Sequence, residues 1–78
     1  MPAAYQPIAC HLHDVYESAI VSRQSLKLRW LDDGVEQQQT VRPRDLNTRD
    51  GAEWLLAETR HGDTLNLRLD WIIQVSHA

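Results

Sequence analysis

The spacing of apolar residues changes period twice along this chain. From about Cys10 to Ser22, Leu12, Val15, Tyr16, Ala19 and Ile20 recur every three or four positions, which predicts an amphipathic helix. Cys10, His13, Asp14, Glu17 and Val21 fall on the opposite face. Ahead of the helix, Pro7 disfavours a helical Gln6, so Tyr5 to Ile8 read as extended. The period becomes two at Leu26, Leu28 and Trp30, and Asp33-Gly34 then marks a hairpin into a second strand, about Val35 to Arg42. Pro43 to Gly51 reads as a loop. A third strand covers Glu53 to Thr59, and His61-Gly62-Asp63 is a tight turn. Thr64 to Asp70 alternates, with Leu65, Leu67 and Leu69 expected inward and Asn66 and Arg68 outward. Trp71 to Val75 reads as a last short strand.

These elements predict one domain over residues 1–78, mainly β, with an N-terminal helix (about 10–22) and a barrel (about 25–76). A small, bent, five-stranded antiparallel Sm-like or SH3-like barrel fits five short strands, because closing or nearly closing the sheet protects edges. A five-stranded OB barrel is the alternative. It usually places its helix between strands three and four, where only a short Pro- and Gly-containing segment is available.

Composition narrows the function classes. With 78 residues the chain buries a thin core and has little room for a deep active site. The net charge of −3 argues against a generic nucleic-acid binder, whose affinity comes largely from Lys and Arg. The charge is uneven. Residues 1–22 hold Asp14 and Glu17 and no Lys or Arg, whereas residues 23–49 carry Arg23, Lys27, Arg29, Arg42, Arg44 and Arg49. Nothing in the chain resembles a membrane span or a signal peptide, so a cytoplasmic protein is expected. A single cysteine excludes an internal disulfide and a Cys-rich zinc site.

Catalytic chemistry finds little support. Cys10, His11 and His13 offer metal-capable atoms, but helical geometry splays them, and His61 and His77 supply no ligand pair at zinc-site spacing. Asp14 and Glu17 on an open helix lack the cleft a general acid and base require. No Gly-rich phosphate loop exists. No enzyme activity, metal or cofactor is expected. Arg42, Arg44 and Arg49 surround one segment and suit phosphates or acidic side chains, although Asp45 and Asp50 partly offset them. Trp30, Trp54 and Trp71 fall in strand patterns and read as core or rim.

Tyr5-Gln6-Pro7-Ile8-Ala9-Cys10, followed by Asp14 and Glu17, resembles the opening of the Rho-binding antiterminator family, also called Rof or YaeO. The resemblance continues at Asp45-Leu46, at Glu53-Trp54-Leu55, and at Leu67-Arg68-Leu69-Asp70 with Ile72, and closes at Ser76-His77. It implies a helix on an Sm-like barrel. It also implies a non-enzymatic inhibitor that binds the RNA-binding N-terminal domain of transcription termination factor Rho and occludes its primary RNA site, with no direct nucleic-acid partner and a monomeric free state. Carried onto this chain, the partner-binding set is Cys10, His11, His13, Asp14, Glu17, Arg42, Arg44 and Asn47. Negative charge at Asp14 and Glu17 suits a basic RNA-accepting surface. The family segment after the Cys is commonly acidic, whereas His11, Leu12 and His13 stand here; protonating these histidines would oppose docking on a basic surface. The alternative reading is an Sm-like RNA-binding module in which Arg42, Arg44 and Arg49 meet RNA directly.

Overall fold

The computed structural model describes residues 4–78. Helix α1 spans Cys10–Ser22, where the three-and-four spacing of apolar residues predicts it. Strands β1 (Leu26–Asp32), β2 (Val35–Arg49), β3 (Ala52–Thr59) and β4 (Thr64–Arg68) follow, then a 3-10 turn at Leu69–Trp71, then β5 (Ile72–His77). The sheet order is β4-β3-β2-β1-β5, with every neighbouring pair antiparallel. Strands β4 and β5 end the sheet and do not pair with each other, so it stays open.

The core lies between α1 and the sheet. Tyr16 and Ala19 of the helix meet Leu26, Leu28 and Trp30 of β1, Val41 of β2, Leu55 and Ala57 of β3, and Leu67 and Leu69. Leu12, Val15 and Ile20 pack at its margin, as the helical periodicity predicts. At the helix C-terminus Arg23 adopts a left-handed φ of 56°, and the Gln24 amide donates to the Ala19 carbonyl at 2.9 Å. Such a 6→1 bond closes a Schellman-type cap. Trp30 is buried; Trp54 and Trp71 are half-buried and stack edge to face with ring centroids 5.4 Å apart.

Two expectations need correction. The segment from Pro43 to Gly51 is not a loop: β2 continues to Arg49 and pairs with β3 along its second half. Proline removes a ladder donor and is tolerated in a sheet at bulges or edges. Here the register jumps from Pro43↔Ala57 to Asp45↔Leu56, leaving Arg44 as the extra residue. Asp50 (φ 54°) and Gly51 (φ 73°) then turn the chain directly into β3, as Asp33 (φ 53°) and Gly34 (φ 80°) do between β1 and β2. Both are two-residue turns with two positive φ angles, the type I′ pattern.

The second correction is Arg68. Alternation points it outward, yet it is 5% exposed, next to the buried Leu67 and Leu69. The strand ends at Arg68, and Tyr5 and Trp71 cover its side chain. The guanidinium lies 5.8 Å from the Tyr5 ring centroid and 5.4 Å from that of Trp71. It also donates to both carboxylate oxygens of Asp70, at 2.7 Å each. A buried cation of this kind needs such a bidentate partner. Among the described residues, no helix is long and apolar enough to cross a membrane.

Candidate functional site

Helix α1 and the second half of β2 run in opposite directions, and two grooves open between them. Near the helix N-terminus a groove of about 160 Å³ is lined by His13, Glu17, Leu46, Asn47, Thr48, Glu53 and Leu69. Near the C-terminus a groove of about 310 Å³ is lined by Ile20, Arg23, Arg42, Pro43 and Arg44. The first is acidic and the second basic.

In the acidic groove the Glu53 carboxylate carries the local network. The Tyr5 hydroxyl donates to Glu53 Oε2 at 3.0 Å, and His13 Nε2 lies 2.8 Å from the same oxygen. Burial and the neighbouring Glu53 carboxylate push the Tyr5 hydroxyl up to about 12, so it stays a neutral donor. The segment before the helix is held a second time, by the Gln6 amide donating to Asp70 Oδ2 at 3.0 Å. The bidentate hydrogen bonds from Arg68 hold the Asp70 carboxyl below the usual carboxylate range and raise the Arg68 guanidinium further. One continuous set of contacts therefore fixes the approach to α1: Tyr5 to Glu53, Gln6 to Asp70, Asp70 to Arg68, and Arg68 to the Tyr5 ring.

The residues singled out in the sequence are divided between these places. His13, Glu17 and Asn47 share the acidic groove. Cys10, His11 and Asp14 are exposed on the first half of α1. Arg42 and Arg44 lie at the other groove, where both reach Glu58, at 3.5 and 3.1 Å. Arg49 leaves the cationic group altogether, with its guanidinium 4.7 Å from the Trp54 ring centroid. His13 also departs from expectation: helical geometry grouped it with the solvent face, whereas it is half-buried against Glu53.

Two residues escape the sequence reading. Glu53 shares its strand parity with the buried Leu55, Ala57 and Thr59. A charged side chain on the inward parity of a strand end is the signal that could have found it. Arg23 gives no such signal, because the caps that mark a helix end in sequence are Gly or Asn. Among the described residues, no group of three or more His, Cys, Asp or Glu side chains is placed to hold a metal ion.

No protein-family model matches the chain, and no curated protein matches it. Among solved structures it is similar to proteasome accessory factor B/C (PafBC) of Arthrobacter aurescens, with a TM-score of 0.77 and 22% identity over 92% of this chain. The chain spans 12% of the length of that protein. The likeness is one of fold.

Proposed function

We propose that this chain is a non-enzymatic inhibitor of transcription termination factor Rho, which docks on Rho's RNA-binding N-terminal domain and keeps RNA from its primary site. The observation that carries the reading is the acidic surface around the first half of α1. Asp14 and Glu17 are exposed there, and Glu53 and Asn47 extend the surface across the groove onto the sheet. A basic RNA-accepting surface meets negative charge and hydrogen-bonding amides at this place. The ordered motifs from Tyr5 to His77 point to the same partner. Two of their residues, Tyr5 and Asp70, anchor the segment that leads into the helix. The sheet reading that accompanies this function is an Sm-like barrel left open between β4 and β5.

Docking occludes RNA by sterics and charge and requires no chemical step, in keeping with an open surface and two shallow grooves. The test is titration calorimetry of the chain against Rho's N-terminal domain, paired with displacement of bound RNA. Asp14→Lys with Glu17→Lys should weaken binding about 100-fold or more, since like charges placed against a basic site cost several kcal/mol. Both side chains are exposed, so the variant should fold. A folded double variant that still displaces RNA from Rho would overturn the reading.

A further inference from the structure

The basic groove is a separate feature. We propose that Arg23, Arg42 and Arg44 form a subsite for the phosphodiester backbone of a single-stranded nucleic acid. Two backbone irregularities converge on it. Arg44 is the extra residue of the β2 bulge, a device that re-aims a side chain out of the regular ladder. Arg23 holds the left-handed position at the end of α1, at φ 56°, where glycine is the residue of least cost. Both side chains line one groove of about 310 Å³, with Arg42 between them in sequence and with Ile20 and the buried Pro43 as its apolar parts.

The charge balance is positive. Glu58 is the one carboxylate within ion-pair distance of these guanidiniums among the described residues, and Arg42 and Arg44 share it. Arg60 lies beside Arg42 and Glu58 on the adjoining surface and adds a further positive charge. Asp45 flanks Arg44, but its Oδ1 accepts from the Leu46 amide at 2.9 Å. Guanidinium forks suit phosphate oxygens. The groove offers no aromatic face for a base, so recognition is of the backbone and carries no sequence preference. At Arg42, Pro43 and Arg44 strand β2 is paired by β3 alone, so an acidic peptide that adds a strand there is the competing occupant, and the polyglutamate arm of the experiment tests it. Arg42 and Arg44 also belong to the partner-binding set that the family resemblance implies, but the groove shares no residue with the acidic one, and an assay that contains no Rho tests it apart from the Rho reading.

The experiment is fluorescence anisotropy of a labelled oligouridylate with the whole chain, across a salt series. Wild type should bind weakly and lose affinity steeply with salt. Arg42→Gln with Arg44→Gln should remove most of the binding. Every guanidinium taken away from a phosphate should flatten the slope of log K against log salt by about 0.7. Arg23→Gly should weaken binding while its thermal midpoint stays equal or rises, because it relieves the left-handed strain. Arg29→Gln removes the same charge from β1, where Arg29 pairs with Glu36, and should leave binding unchanged. Three results would overturn the proposal: no oligonucleotide binding by wild type, an equal loss in Arg29→Gln and Arg23→Gly, or displacement of the oligonucleotide by a polyglutamate peptide at lower concentration.

Discussion

Arg68 shows how one residue's role is set by what lies over it. Its neighbours Leu67 and Leu69 obey the two-residue period, and by that period Arg68 belongs to solvent. The Tyr5 ring, the Trp71 ring and the Asp70 carboxylate occupy the place where water would be. Leu67→Ala should destabilise by about 2–5 kcal/mol, the usual cost of emptying a buried leucine site. Arg68→Ala should lower the denaturation midpoint clearly more than the exposed control Lys27→Ala; equal midpoints for those two would show that the pair contributes nothing. The Asp70 carboxyl, held below the ordinary carboxylate range near about 3.9 in the folded chain, adds a pH signature. Its contribution is present above the unfolded value and is lost as pH falls through the lower folded value. Wild type should therefore lose stability on acidification below about pH 4. Asp70→Asn should start less stable and show a flatter decline over the same range, as read by urea midpoints.

Among the elements, β2 does the most to shape the molecule. Its first half pairs with β1 and its second with β3, and Val41 takes part in both ladders. The bulge at Arg44 lets Pro43 stay within the strand, with its ring buried where a donor is not needed. The turn that ends β2 rests on Asp50-Gly51. An added Cβ at Gly51 meets nothing within 4 Å, so Gly51→Ala isolates the conformational cost of φ 73°. That cost should be about 1–2 kcal/mol, read as a shift in denaturation midpoint. No shift would mean the turn adopts another geometry. Helix α1 works with β2 as a second unit, setting acidic side chains at one end of their shared seam and basic ones at the other.

At the scale of the whole molecule, this separation of charge matters more than the net −3. Opposed acidic and basic ends give opposite electrostatic preferences at two places on one small surface. Binding through exposed charges is screened over about 8–10 Å at physiological ionic strength. The proposed complex with Rho's N-terminal domain should therefore weaken as salt rises, chiefly through a slower association rate, which stopped-flow mixing measures. A salt-independent rate would remove electrostatic steering from the account. The open sheet has its own signature. Amides of β1 and β2, central in the order, should exchange with deuterium more slowly than the outer-edge amides of β4 and β5. Uniform protection across all five strands would require β4 and β5 to be covered.

The sequence by itself determined the helix, its buried face, the first hairpin and the five-strand count, because each follows from local spacing and turn chemistry. Asp50-Gly51 carried the same signal as Asp33-Gly34, and Pro43 masked it by suggesting a loop. The grooves were not legible at this level. Which of Cys10, His13, Asp14 and Glu17 meets the sheet depends on how α1 is rotated over β2, and a spacing pattern defines a helix face without saying what lies opposite it. The tertiary structure alone decided that His13 turns to Glu53, that Arg42 and Arg44 join Arg23 instead of Arg49, and that Arg68 is covered. Each of these brings together residues far apart in the chain, and its geometry exists only after the helix and the sheet have packed.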